Sequence, residues 1–310
     1  MEKVVLFTHG VDIDGFGCAI LAKLAFDNVE VVYADNFNLD EKMKAFDREK
    51  GFCNYDKVYV TDHCPSFEYC KQIEQDKDLI SKIRIFDHHV SRVSEQGTLP
   101  WIDLVVESQD GEKQSGTSLF YDHLVDEGLL KLSLAPSVFA NLTRLYDTWQ
   151  WVSDKTFGEA SYRLNTLFQA VGREEYVKRM YNRIKAGEVG MSPEDEKVVD
   201  KYLKDFFAKV NCYINSMDIV VFENNKVGFV EIEDSYKNDI ANKIREDGNV
   251  FDLDYVLMPV RDRNTVSLRN INPDFDVSKV AEKFGGGGHK GAASFPLVNL
   301  PECFKAKESE

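Results

Sequence analysis

Three short apolar runs in the N-terminal part of the chain end directly on acids and histidines. This pattern limits the possible folds more than any other feature. Residues 3–7 lead into Thr8-His9-Gly10-Val11-Asp12-Ile13-Asp14-Gly15, residues 57–60 into Thr61-Asp62-His63, and residues 82–85 into Phe86-Asp87-His88-His89. Short apolar runs of this kind read as buried strands. Between them lie helix-like stretches at 16–26, 39–49 and 66–75, and a further strand at 29–33. Strand–helix alternation predicts βαβ units and a mostly parallel sheet covered by helices. In such sheets ligands bind beyond the carboxyl ends of the strands. The acids and histidines fall at those ends, where packing does not require them.

Residues 115–191 are mostly helical in pattern. Pro193 then opens an amphipathic run, 194–214, with the acid-rich first turn that a helix N-terminus prefers. Beyond it, strands are expected at 218–222, 226–232, 255–258 and 265–269, and helices at 235–247 and 277–284. The last helix runs into Gly285-Gly286-Gly287-Gly288-His289. A chain of 310 residues suits two domains. The expected fold is α/β: an N-terminal parallel-sheet domain over 1–185 with helices on both faces, a linker helix over 186–216, and a smaller C-terminal α+β domain over 217–310.

The formal net charge of −15 argues against tight, sequence-independent binding to long nucleic acid, which depends on phosphate neutralisation. A small nucleotide remains compatible, because a divalent-metal site supplies positive field locally. The runs 193–196 and 305–310 read as solvated charge. Six scattered cysteines, at 18, 53, 64, 70, 212 and 303, form no CxxC pair, so reduced thiols are expected rather than structural zinc. No apolar run is long enough to span a membrane and no secretory pattern opens the chain, so a cytoplasmic protein with no membrane partner is expected. The Phe and Tyr content leaves room for a homodimer interface.

His9, Asp12 and Asp14 leave one loop together, and Gly15 and Gly17 let it turn sharply into a helix. Asp62 and His88 come from neighbouring strand ends, and Asp147 stands within apolar helical sequence. Mixed oxygen and imidazole donors favour Mn²⁺, Mg²⁺ or Fe²⁺ over zinc. Several carboxylates drawn into one pocket repel and need compensation. Two divalent cations roughly 3.5–4 Å apart provide it, activate water and clamp both oxygens of a phosphoryl displacement. The glycine run offers backbone N–H groups to an anion, His289 adds a donor, and Arg269 offers a bidentate fork. Each element has a plainer explanation alone. Asp12 and Asp14 form turns, Asp147 lies on a helix surface, Gly285 to Gly288 is a flexible joint, and Arg269 is a solvated strand residue. Their joint occurrence in one chain is what the plain explanations leave out.

That order, His9, Asp12-Ile13-Asp14-Gly15, Asp62, Asp87-His88-His89, Asp147 and Gly285 to His289, resembles the DHH phosphoesterases that carry the DHH-associated C-terminal domain. Within the family, the segments 115–121, 146–149 and 276–281 look most like the NrnB-type oligoribonucleases. The resemblance implies that His9, Asp12 and Asp62 hold one metal, and that Asp14, Asp62, His88 and Asp147 hold a second. Asp87 is then expected to orient His88, and His89 to approach the scissile phosphate, which makes Asp87, His88 and His89 the catalytic set. Arg269, Gly286, Gly287, Gly288 and His289 are expected to bind substrate across a cleft, with Ser115 and Thr117 lining it. Two divalent cations are implied, Mn²⁺ first and Mg²⁺ as the alternative. Lys290 and Ser294 depart from the family pattern, in which many relatives carry proline and glycine.

The activity so implied is a metal-dependent 3′–5′ exoribonuclease that trims short oligoribonucleotides to 5′-mononucleotides. The partners are then short RNA or small nucleotides and not long nucleic acid. A 3′-phosphoadenosine 5′-phosphate phosphatase and a linear or cyclic dinucleotide phosphodiesterase use the same site. A non-catalytic nucleotide-binding module is the alternative of a different class, and the full ligand set argues against it.

Overall fold

A computed structural model describes residues 2–94 and 96–305, so the tail 306–310 lies outside the described residues. The chain forms two compact units divided between Tyr202 and Leu203.

The first unit opens with strand β1 (Val4–His9), helix α1 (Ile13–Ala25), β2 (Val29–Ala34) and α2 (Leu39–Lys50). There follow β3 (Lys57–Thr61), α3 (Phe67–Ile73), α4 (Lys77–Lys82), β4 (Ile83–Asp87) and the short β5 (Ile102–Leu104). The five strands form one sheet in the order β2-β1-β3-β4-β5, and every pairing is parallel. Alternate residues feed two cores. Val5, Phe7, Val58, Val60, Ile83 and Ile85 pack against Met43 and Phe46 of α2 and Tyr69 and Ile73 of α3. Val4, Leu6, Tyr59 and Phe86 pack on the other face against Leu21 and Ala22 of α1. A strand buried on both faces shows no apolar–polar alternation, which is why these runs are continuously apolar in sequence. Four helices complete the unit: α5 (Gly116–Asp126), α6 (Leu134–Asp147), α7 (Gly158–Val171) and α8 (Arg173–Lys185). Phe120 and Leu124 of α5 join the second core.

The long helix α9 (Pro193–Asn215) contains the boundary between the units. The second unit comprises β6 (Asp218–Phe222), β7 (Asn225–Phe229), α10 (Lys237–Glu246), β8 (Tyr255–Val260), β9 (Thr265–Asn270), α11 (Val277–Lys283), β10 (Gly287–His289) and β11 (Ala292–Pro296). Its sheet runs β10-β11-β9-β8-β7-β6, antiparallel except for the β7–β8 pair. The glycine run is not a free loop. Gly287 and Gly288 lie in the edge strand β10, paired with Ser294 and Ala293. A Cβ on Gly286 would stand 2.0 Å from the Ser294 carbonyl oxygen, and one on Gly288 2.5 Å from Ala293 Cα. The glycines therefore permit close approach of β11. Among the described residues no helix is long and apolar enough to cross a membrane.

Candidate metal centre

The sheet order sets β1, β3 and β4 side by side, so the residues at their carboxyl ends converge. His9 is the last residue of β1, Asp62 directly follows β3, and Asp87 closes β4. Asp12 is the N-cap of α1, and Asp14 lies in that helix's first turn. Asp147 is the last residue of α6. Below the site, Thr61 Oγ1 donates to Thr8 Oγ1 at 2.9 Å, and Thr8 Oγ1 donates to the Gly15 carbonyl at 3.0 Å. These bonds tie two strand ends to the start of α1.

Asp12 divides its oxygens. Oδ1 accepts from the Gly15 N–H at 3.2 Å, and Oδ2 lies 2.7 Å from His9 Nδ1. It is both the turn former and a candidate ligand. Asp62 divides its oxygens too: Oδ2 lies 3.6 Å from His9 Nδ1, and Oδ1 lies 3.4 Å from His88 Nε2. His88 Nε2 also stands 3.4 Å from Asp147 Oδ2 and 3.7 Å from Asp14 Oδ2. Three groups result: His9–Asp12–Asp62, Asp14–His88–Asp147 and Asp62–His88–His89, with the candidate ligand atoms of each within 4.8 Å of one another. The structure thus brings together all six residues expected to hold metal.

The pocket is short of positive charge. Burial, and then the neighbouring Asp14, push the Asp62 carboxyl well above the carboxylate range. Burial, with Asp14 and Asp62 next, pushes Asp147 up to about 8. Its position at a helix C-terminus, the negative end of the dipole, adds to the mismatch. Burial lowers the His9 pKa, but the contact with Asp12 and the nearby Asp62 carboxylate outweigh it and raise His9 to about 10. Asp62 Oδ2 and Asp147 Oδ2 are buried without a hydrogen-bond partner among the described residues. Orphaned carboxylate oxygens in a buried acid cluster are what divalent cations satisfy, and the oxygen and imidazole donor set fits Mn²⁺ or Mg²⁺.

Two expectations change. Asp87 was expected to orient the His88 ring. Instead its Oδ1 accepts from the backbone N–H of His88 at 2.8 Å and of His89 at 3.3 Å, and lies 2.7 Å from His89 Nδ1. The strand ends at Asp87, its carboxylate closes on the turn that follows, and the His89 ring is held with it. Ser115 and Thr117 were expected to line a cleft, yet both are fully buried. Ser115 caps α5 reciprocally with Ser118. The Gly116 and Thr117 N–H groups donate to the two Asp14 carboxylate oxygens at 2.6 and 2.8 Å, and Thr117 Oγ1 donates to the Asp14 carbonyl at 2.6 Å. The start of α5 is thus a cradle for Asp14, because a helix N-terminus stabilises an anion.

His63 is fully buried beside His9, with ring centroids 6.0 Å apart, and neither ring nitrogen has a partner among the described residues. Burial, reinforced by His9, holds its pKa down near 3, so it is neutral. His123, without an acid cluster in sequence, packs against Phe86 and Tyr59.

In the second unit, Arg269 on β9 donates from Nε to Asn238 Oδ1 at 2.9 Å and from Nη1 to Ser267 Oγ at 3.1 Å. Arg269, Ser267, Lys237, Gly287 and Gly288 line a cavity of about 240 Å³. Burial, then Arg245, lowers the Arg269 pKa, although an arginine stays charged throughout the working range. His289 is exposed in β10. Sequence reasoning missed Lys237, whose position at the start of α10 carried no motif.

No family model matches the chain. Oligoribonuclease NrnB of Bacillus subtilis (strain 168) is 31% identical over 310 residues, covering 97% of this chain and 75% of that protein. Among solved structures, the pGpG-specific phosphodiesterase PggH of Vibrio cholerae matches with a TM-score of 0.54 at 12% identity, covering 98% of this chain and 97% of that one. The exonuclease RecJ bound to manganese also matches with a TM-score of 0.54, at 16% identity over 98% of this chain and 88% of that one. The two structures share the fold. The near-complete match to NrnB, on a chain whose Asp-His-His strand end joins its acids at one sheet edge, places this protein in the DHH phosphoesterase family of hydrolases.

Proposed function

We propose that this chain is a metal-dependent phosphodiesterase that degrades short oligoribonucleotides from the 3′ end to 5′-mononucleotides. The observation that carries the reading is the shared Asp62, whose two oxygens face His9 on one side and His88 on the other. His9, Asp12 and Asp62 would hold one divalent cation, and Asp14, Asp62, His88 and Asp147 a second. Such a pair supplies Lewis acidity at the phosphate and lowers the pKa of a water.

The chain's own residues do the rest. The α5 N-terminus fixes Asp14, so that ligand does not have to be ordered when metal binds. Asp87 holds His89 by Nδ1, which leaves Nε2 to face the substrate phosphate. The same hydrogen bond raises the His89 pKa above that of a free imidazole. In the second unit, Arg269, Lys237 and the Gly287–Gly288 edge would bind an anionic group. The oligoribonuclease name of the relative and the acidic balance of the chain both favour short substrates, because a long polyanion meets more repulsion.

The test is hydrolysis with Mn²⁺ of a labelled RNA dinucleotide, a pentamer, a long oligomer and 3′-phosphoadenosine 5′-phosphate, with Asp62→Asn as the blank. Mononucleotide release from the two short RNAs, with the long one largely spared, supports the reading. Preference for the bisphosphate makes the protein a phosphatase, and no activity above the blank refutes hydrolysis of these esters.

A further inference from the structure

We propose that Trp149 is a stacking platform for one nucleobase of the substrate whose phosphate sits at the metal centre. The inference rests on the phosphodiesterase reading above and gives a role to a residue that lies in the segment 146–149 but has none in the metal centre. Trp149 lies two residues beyond Asp147 and is 71% exposed.

The backbone marks the same residue. Trp149 has φ 61° and ψ 11°, a left-handed conformation that residues with a bulky side chain rarely adopt. Strain of this kind persists only where the surroundings enforce it. Here they do. The Thr148 hydroxyl donates to the Arg144 carbonyl at 2.7 Å and lies 3.1 Å from Gln150 Oε1. The buried Arg144 guanidinium donates to the same Gln150 oxygen at 2.8 Å and to the Lys113 carbonyl at 3.0 Å. A Cβ on Gly158 would fall 2.1 Å from the Trp151 carbonyl oxygen, so only glycine lets the far end of the loop close.

The largely exposed indole neighbours an aromatic cluster. The Trp151 ring stands 6.2 Å from it and is itself stacked with Tyr146 at 6.0 Å and Tyr162 at 5.0 Å. Two further exposed apolar side chains flank metal-site residues: Val11 beside Asp12 and Val90 beside His89. Acids with an apolar margin suit a ligand that is itself a phosphate joined to a flat base. A rigid indole contributes to such binding at little entropic cost, and tolerates every base because each has a π-face.

The test uses the full chain, W149A and W149F with an RNA dinucleotide and two analogues, one with the 5′ base and one with the 3′ base removed. Stacking predicts that W149A raises KM for the intact dinucleotide by about 5- to 100-fold with kcat little changed, and that W149F recovers most of the loss. It also predicts that the W149A penalty vanishes on the one analogue that lacks the stacked base. An unchanged KM in W149A, or an equal penalty on all three substrates, overturns the proposal. Loss in both variants together with a lowered melting temperature assigns Trp149 to the fold and overturns it as well. Binding is read separately, with Ca²⁺ in place of Mn²⁺, as quenching of tryptophan fluorescence by the dinucleotide. Quenching in the parent that is lost in W149F supports stacking even if hydrolysis fails. Hydrolysis without that quenching leaves the phosphodiesterase reading standing and refutes this one.

Discussion

Asp62 faces both His9 and His88 in the candidate metal centre, and its backbone is unusual. It sits at φ 61°, fully enclosed, with a Gly116 Cα so close that a Cβ there would be 2.6 Å from Asp62 Cβ. Aspartate and asparagine are the residues that best tolerate this conformation apart from glycine. Asp62→Asn therefore keeps the backbone and removes the charge. The expected outcome is loss of the Mn²⁺-induced rise in melting temperature, and a fall in hydrolysis on the order of 100-fold or more. A variant that still gains stability from Mn²⁺ would remove Asp62 from the ligand set. At this scale the residues that cluster as candidate ligands were legible in sequence because acids and histidines at strand ends stand out against apolar runs. The Asp87–His89 bond was not, since adjacent histidines carry no sign of which ring a neighbouring carboxylate takes. Trp149 falls in the segment 146–149 that carries the resemblance, but its left-handed backbone was not legible, because turns leave no periodic pattern.

Among elements, α5 does the least expected work. Its first two N–H groups hold Asp14, and its first residue must be glycine to pass Asp62. Gly116→Ala pushes a methyl group into the backbone of a metal-site residue. It is expected to destabilise the protein by about 1–3 kcal/mol, the usual cost of overpacking. It is also expected to weaken the Mn²⁺-linked rise in melting temperature, whereas a merely structural defect would lower the baseline and leave that rise intact. Most elements could be read from the chain: four of the five parallel strands, α1 to α3, and the strands and helices of the second unit through α11. Helix α4 and strand β5 could not. The first is six residues long and the second three, too short for periodicity to show. The glycine run was read as an anion-binding loop, and it pairs as a strand because β11 comes close enough to need it.

At the scale of the whole molecule, protons and metal compete. His9 at about 10 and Asp147 at about 8 lie above their unfolded values, so the metal-free folded state binds more protons than the unfolded chain. The His9 contribution is fully present below its unfolded pKa and is lost as pH rises through about 10; that of Asp147 is lost through about 8. Asp12 and Asp87, held below the carboxylate range, act only in acid. Melting temperature in chelator should therefore fall from about pH 6 to about pH 9, and the increment given by Mn²⁺ should grow over the same interval. A flat profile in chelator would mean that the pocket's charge is balanced by something other than these protons.

One last consequence follows from α9. Asp195 near its start is buried and paired with Arg179 at 2.8 Å, while Val210 near its end belongs to the apolar core around Ile240 and Val256. A single rod of 23 residues thus supplies interior surface to both units. A cut between those two positions leaves each buried side chain with its own unit, whereas removing either end of the helix takes interior surface away. The helix is therefore interior material of both units as well as their connection, and a deletion made in it as if it were a plain linker removes core side chains.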